Sequence, residues 1–568
     1  MNLLPNYNPQ NPLVIQRDQR ILLDPSHPQF DHARQAIVTF SELESSADTV
    51  HTYRITPLSL WNACSVGLTA QEICDTLNEL SKYPVAERLI LHIHSLAGRW
   101  GRLKLLAHGT DLLLVCDDAN ALAELRHKKA INALLIETPD PQRFIVEKAD
   151  RGQIKQAFMA AGWPVEDLAG YIEGEALEIR LRSGDFAVRN YQRAAAEAFY
   201  AGGDVRGGSG VVVLPPGAGK TVVGITAMSL VGQSTLILTT NRTSVVQWQR
   251  EILAKTHVPA ELVAEYTGEH KQIAPITIST YQMLTYRAGD EQQPHLDLFS
   301  QREWGLIIYD EVHSLPAPIF RATADIQSKR RLGLTATLIR EDGRERDVFT
   351  LIGPKKYEQP WRELEQRGWI AEAQCYEVRV RLPSELRMSY ASAKPREQSR
   401  IAAENPAKLA LVQTILGRYA GTATLIIGQY LAQLEQIAQA LGVPLITGKS
   451  PQAEREQLFA AFRRGEPMGK ADRPVLVLSK VGNFALDLPD AALLIQVSGT
   501  FGSRQEEAQR LGRVLRPKAE QFGAAFYTIV SQDTQEVGHA FKRQLFLAEQ
   551  GYNYQLLSEQ DFIELSDA

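Results

Sequence analysis

Cysteine is scarce in this 568-residue chain: Cys64, Cys74, Cys116 and Cys375 are scattered, and no Cys-x-x-Cys pair occurs. That scatter excludes a disulfide framework and provides no ligand spacing for a zinc site or an iron–sulfur cluster. The four read as buried thiols of a reducing compartment. Long apolar runs are missing too. None approaches the roughly 20 residues of a membrane-spanning helix, so no membrane partner is expected. Met1-Asn2-Leu3-Leu4-Pro5 has neither the basic region nor the apolar core of a signal peptide, and a cytoplasmic location is expected. Net charge is the third absence. Lys and Arg number 61 against 66 Asp and Glu, leaving −5. A bulk basic coat for nucleic acid is thereby excluded, and any such contact must come from local clusters. The length is too great for one core and predicts three or four domains.

Two short runs stand out: Pro216-Gly217-Ala218-Gly219-Lys220-Thr221 and Asp310-Glu311-Val312-His313. Each follows a run of apolar, largely β-branched residues, Val211-Val212-Val213-Leu214 and Leu306-Ile307-Ile308-Tyr309. A buried strand feeding a Gly-rich turn and a helix cradles a triphosphate. Backbone N–H groups face the phosphates, the lysine reaches the β/γ oxygens and the threonine hydroxyl ligates magnesium. Asp310 at a second strand end can hold the same Mg²⁺, and Glu311 can polarise an attacking water. Together these runs point to ATP hydrolysis. Leu214 replaces the glycine usual at the start of such a loop, while Gly217 and Gly219 still supply the turn.

The rest of the chain falls into blocks. Up to about Ala97 the pattern suggests a small helical module, with Ser59 to Ala63 opening one helix and Thr69-Ala70-Gln71-Glu72 capping the next. Strands expected at 112–115 and 133–136, separated by a helix, suggest a small α/β unit, followed by a helix from Gln153 to Ala161. From Ala187 strands and helices alternate, as in a parallel sheet with crossover helices. Strands are expected at 211–214, 235–239, 275–279, 306–309 and 331–334. A second block in the same style has strands near 423–427, 444–447, 474–478, 492–497 and 524–530. Glu372 to Arg400 reads as a linker or a small insertion.

Further runs fall in order along these blocks. Leu334-Thr335-Ala336-Thr337 ends a strand, and its hydroxyls can hydrogen-bond to the carboxylate site. The run from Gln509 to Arg516 sets Gln509, Arg513 and Arg516 on or near one helical face. An arginine there can neutralise charge developing on a transferred phosphoryl group; the same turn also reads as a solvated basic helix. The ordered set resembles superfamily-two helicases. Arg340-Glu341-Asp342, Gly368-Trp369-Ile370-Ala371, Ser531-Gln532-Asp533-Thr534-Gln535-Glu536 and His51 to Trp61 narrow the resemblance to the xeroderma pigmentosum group B (XPB) family of DNA repair helicases.

The resemblance implies two RecA-like motor domains, at 183–374 (ATP-binding) and 375–568 (arginine fingers). An XPB-type N-terminal domain (1–98) and a damage-recognition-like domain (99–182) would precede them. It implies Lys220 and Thr221 on the phosphates and magnesium, Asp310 on magnesium, Glu311 on the water and His313 coupling hydrolysis to movement. Arg513 and Arg516 become finger candidates with Gln509 beside them, and Arg189 and Gln192 match the family's adenine-side run. Arg340, Glu341 and Asp342 become candidates for a duplex junction. Arg242, Thr280 and Lys449, at or beside strand ends, are candidates for a sugar–phosphate track, and Thr335 and Thr337 for coupling. The implied substrate is duplex, forked or damaged DNA on the nucleoid, with ATP and Mg²⁺, and a nuclease or another repair protein as a possible partner. RNA as substrate, or a nucleotide-gated scaffold recruiting a nuclease, are the rival readings.

Overall fold

The computed structural model of the chain describes residues 7–47, 50–169, 174–183, 186–204, 206–285, 302–314, 330–336, 345–369, 373–479, 491–499, 524–549 and 554–567. By its internal contacts the chain divides into two compact units: Met1–Leu214 with Gly219–Glu358, and Gln359–Ala568 with Pro215–Ala218.

The N-terminal block is not purely helical. Strands β1 (Leu13–Ile15), β2 (Arg20–Leu23), β3 (Glu42–Ala47) and β4 (Val50–Arg54) form an antiparallel sheet in the order β1-β2-β4-β3. Ile21, Leu23, His51 and Tyr53 alternate inward at a period of two, but over strands of three to six residues that period is too brief to read. The two expected helices are present. Thr56 and Ser59 form a reciprocal cap at Pro57–Ser65, and Thr69 and Glu72 do the same at Ala70–Leu80.

The next block holds β5 (Leu103–His108), β6 (Asp111–Cys116), β7 (Ile136–Glu137), β8 (Arg143–Val146) and β9 (Val165–Asp167), ordered β7-β8-β6-β5-β9. The strand expected at 133–136 is mostly a helix end. Ala133 caps Lys129–Asn132, Leu134 and Leu135 pack on the module's core, and only Ile136 joins β7. Trp61, Met159 and Phe349 form an apolar cluster that ties both N-terminal modules to the helix Glu345–Leu351.

Two parallel sheets follow. The first contains β10 (Ser209–Val213), β11 (Thr235–Thr239), β12 (Val263–Tyr266), β13 (Ile276–Thr280), β14 (Leu306–Asp310), β15 (Arg330–Thr335) and β16 (Lys355–Glu358). The second contains β17 (Ala373–Val380), β18 (Thr424–Gly428), β19 (Leu445–Ile446), β20 (Val475–Ser479), β21 (Leu493–Gln496), β22 (Ala524–Ser531) and β23 (Tyr554–Ser558). Their orders are β12-β13-β11-β14-β15-β10-β16 and β19-β20-β18-β21-β22-β17-β23. Adding seven to each label of the first gives the second. Both are RecA-like motor sheets. Central strands such as β11, β13, β18 and β20 are buried at every residue, as expected where helices cover both faces.

The described part of the expected linker or insertion, 373–400, is built into the fold. Ala373–Val380 pairs with both β22 and β23 inside the second sheet, and Ser384–Ser392 and Pro395–Ala403 are helices. In this unit the buried Lys408 ammonium donates to Glu536 at 2.8 Å and to the carbonyl of Val497 at 2.9 Å.

Candidate active site

Strand β10 ends beside β15, where the Leu214 N–H donates to the Thr335 carbonyl at 2.9 Å. The chain then turns through Pro216, Gly217 and Ala218 and enters the helix Lys220–Val231. Gly217 and Gly219 carry the turn with φ of +80° and +83°, the left-handed region that a side chain disfavours. Gly219 is also crowded, because a Cβ there would stand 2.5 Å from Gln192 Nε2. Gln192 thus lies against Gly219 at the end of the loop. Its Oε1 accepts the Arg189 N–H at 3.0 Å, starting the helix Asn190–Tyr200.

Lys220 and Thr221 form the first turn of the helix, where its unpaired N–H groups favour an anion. The Lys220 ammonium donates to Glu311 Oε1 at 2.5 Å across 91 residues of sequence, with both side chains largely buried. Glu311 itself has a φ of +51°, a strained setting for a non-glycine residue at a strand end.

Asp310 is held on three sides. Its Oδ1 accepts the Glu311 N–H at 3.1 Å, its Oδ2 accepts the Trp248 indole N–H at 2.9 Å, and its carbonyl accepts the Tyr281 hydroxyl at 2.7 Å. Burial, then the neighbouring Glu311 charge, pushes its carboxyl up to about 6, against Lys220 and the Trp248 N–H. A carboxylate so placed is short of positive charge, and a divalent cation would supply it. The hydroxyl of Thr221 and the carboxylate of Asp310 are hard oxygen donors of the kind magnesium takes. Among the described residues no cluster of three or more His, Cys, Asp or Glu forms a separate metal site.

His313 links this site to β15. Its Nδ1 stands 2.6 Å from Thr335 Oγ1 and 3.5 Å from Glu311 Oε2. Of the track candidates, Arg242 opens the helix Arg242–Lys255 and pairs with Glu269. Thr280 ends β13, and its hydroxyl accepts the Met283 N–H at 3.4 Å. In the second unit Lys449 is exposed in the turn after β19, its N–H donating to Thr447 Oγ1 at 3.2 Å. Thr337, Arg340, Glu341, Asp342, Gln509, Arg513 and Arg516 lie outside the described residues. Trp248 was not legible as a site residue, since it belongs to no run with chemistry of its own, and Tyr281 stood only in the run Ser279 to Gln282 read as a phosphate-track candidate, not beside the carboxylates. A lone indole among the polar neighbours Gln247 and Gln249 is the only hint for the first.

A cavity of about 670 Å³ lies elsewhere, lined among others by Trp100, Lys155, Glu166, Asp167, Phe349 and Lys356. Two ion pairs line it, Lys155 with Asp167 at 3.2 Å and Arg206 with Glu166 at 3.1 Å, while Lys356 donates to the Arg206 carbonyl at 3.1 Å.

Residues 364–567 match the family described as ERCC3/RAD25/XPB C-terminal helicase, and residues 185–340 match the type III restriction enzyme res subunit. Residues 13–140 match a helicase conserved C-terminal domain, although that segment here contains the antiparallel sheet β1–β4. A protein of Mycobacterium tuberculosis named DNA 3'-5' helicase XPB is 51% identical over 97% of this chain and 98% of its own. One of the same name from Kineococcus radiotolerans is 49% identical over 97% of each. In Saccharomyces cerevisiae the general transcription and DNA repair factor IIH helicase/translocase subunit XPB/SSL2 is 32% identical over 98% of this chain and 73% of its own. With half its residues shared over nearly the whole length of such relatives, and with two motor sheets built alike, the chain belongs to the XPB helicase family.

Proposed function

We propose that this protein is an ATP-driven DNA helicase or translocase acting in DNA repair, moving 3'-5' as its relatives' names state. The observation that carries the site assignment is the 2.5 Å contact of Lys220 with Glu311. It brings the ends of two separate motifs to one point, as phosphate binding and water activation both demand. In this reading Lys220, with the backbone of Pro216 to Gly219, holds the phosphates, and Gln192 with Arg189 takes the adenine edge. Thr221 and Asp310 would hold magnesium, which when bound would offset charge on the phosphate oxygens.

Lys220 occupies the Glu311 carboxylate until a triphosphate competes for its ammonium. Released, Glu311 orients the attacking water, and Arg513 and Arg516, with Gln509 beside them, neutralise the charge that develops. His313 passes the state of Glu311 to Thr335, and with Thr337 to the segment bearing Arg340, Glu341 and Asp342. Arg242, Thr280 and Lys449 grip the sugar–phosphate backbone without reading bases.

We place the XPB-type N-terminal domain at 1–98, a damage-recognition-like domain at 99–182 and the motor domains at 183–374 and 375–568. Forked or damaged DNA of the nucleoid is the substrate, and a nuclease or another repair protein is the fitting partner.

The test is ATP turnover with and without forked DNA, for wild type beside Glu311→Gln. Strong stimulation by DNA and not by RNA, with turnover lowered roughly 100-fold or more in the variant, is the expected result. Turnover indifferent to DNA, or to the loss of this carboxylate, would mean that the substrate or the site is wrongly assigned.

A further inference from the structure

We infer that Trp248 is a positioning residue for the metal-holding carboxylate of Asp310, an inference that rests on the site reading above. Trp248 lies in the helix Arg242–Lys255, 62 residues before Asp310, and is 1% exposed. Its indole is wedged between the two halves of the site. One edge donates Nε1–H to Asp310 Oδ2 at 2.9 Å. The opposite edge packs on the helix that carries Lys220 and Thr221, at Gly224. A Cβ at position 224 would meet Trp248 Cη2 at 2.5 Å and Cζ3 at 3.2 Å, so only glycine leaves room for the ring.

A carboxylate turns easily about its last torsion, and a metal site needs that torsion fixed. Here each oxygen of Asp310 has one donor of its own, the Glu311 N–H on Oδ1 and the indole on Oδ2. Each oxygen has two lone pairs, so this pairing fixes the plane and leaves one lone pair on each for a cation. Indole is suited to the task because it is a donor only, with no acceptor to compete for the metal. Its ring is locked by packing on Gly224 and cannot follow the carboxylate if that rotates.

The experiment measures ADP affinity by calorimetry with Mg²⁺ and with EDTA, for wild type, Trp248→Phe, Asp310→Ala and the double variant. Phenylalanine keeps much of the ring and removes the N–H. The gain in affinity that Mg²⁺ brings should fall about tenfold or more in Trp248→Phe, while affinity in EDTA stays unchanged. In the Asp310→Ala background the same substitution should add nothing. Equal losses with and without Mg²⁺, or an additive effect in the double variant, would overturn the positioning role. If Asp310→Ala itself keeps the full Mg²⁺ gain, the metal assignment fails instead, a distinct outcome. Gly224→Ala displaces the ring without removing it, and the same selective loss is expected there. The wild-type chain offers a readout that needs no variant. Adding Mg²⁺ to the ADP complex should change tryptophan emission, because a divalent charge arrives beside an indole bonded to its ligand; unchanged emission would overturn the proposal.

Discussion

Gly219 bears two constraints at once, a φ of +83° and a neighbour, Gln192 Nε2, at 2.5 Å from any added Cβ. Gly232, at the far end of the same helix, has a φ of +63° and meets nothing nearer than a carbonyl at 3.8 Å. Alanine at 232 should therefore cost only the left-handed strain, about 1 kcal/mol, and leave nucleotide affinity intact. Alanine at 219 should cost that strain and push Gln192 off the loop, lowering ADP affinity roughly tenfold or more. Calorimetry beside thermal melting separates the two effects. His51 supplies a pH dependence. Burial, with Arg34 nearby, pulls its imidazole down to about 4. Below its ordinary value of 6.5 the unfolded chain takes up a proton that the folded chain refuses until about pH 4. Stability is therefore present above pH 6.5 and is lost on acidification across that window, on the order of 3 kcal/mol in all. The melting temperature should fall between pH 7 and pH 5, and His51→Phe should flatten that fall.

At the scale of elements, legibility followed burial on two faces. Leu236-Ile237-Leu238 and Val475-Leu476-Val477 are unbroken apolar runs because helices cover both sides of their sheets. The edge strands β16 and β23 were missed for the opposite reason. Lys355-Lys356-Tyr357-Glu358 and Tyr554 to Ser558 each pair on one side only and keep polar, partly exposed residues. β17 was misread because Glu377 and Arg379 look like solvent residues. In the fold Glu377 is buried and accepts from Arg379 at 2.6 Å. The phosphate loop and the acidic run were readable because their chemistry is local. The Trp248–Asp310 bond was not, since it depends on how a helix and a strand pack. Lys408 and Glu536 are a similar long-range pair, joining the helix Ala407–Arg418 to Gln535–Glu549. Glu536 also accepts the Ser531 N–H at 2.9 Å. Lys408→Met would leave that carboxylate buried without its cation, at a cost of about 3–5 kcal/mol. Combining it with Glu536→Gln should recover part of the loss, read from urea unfolding followed in the second unit.

Across the whole molecule, the described strands form two sheets of seven that repeat one strand order, and the N-terminal modules pack on the first through Trp61, Met159 and Phe349. Periodicity showed two alternating blocks but left β17 (Ala373–Val380) out of the second, and it gave no sign that their topologies are identical, because strand order is set by crossover paths rather than by residue pattern. That identity has a consequence for stoichiometry. The counterpart of β10 in the second sheet is β17, and the chain leaving β17 reads Arg381-Leu382-Pro383-Ser384, with neither glycine nor lysine. One copy of the frame kept a phosphate cradle and the other did not, so titration with ADP should saturate at one nucleotide per chain. The two halves, alike in frame, would then be unequal in duty: one would consume the fuel and the other would act as its respondent.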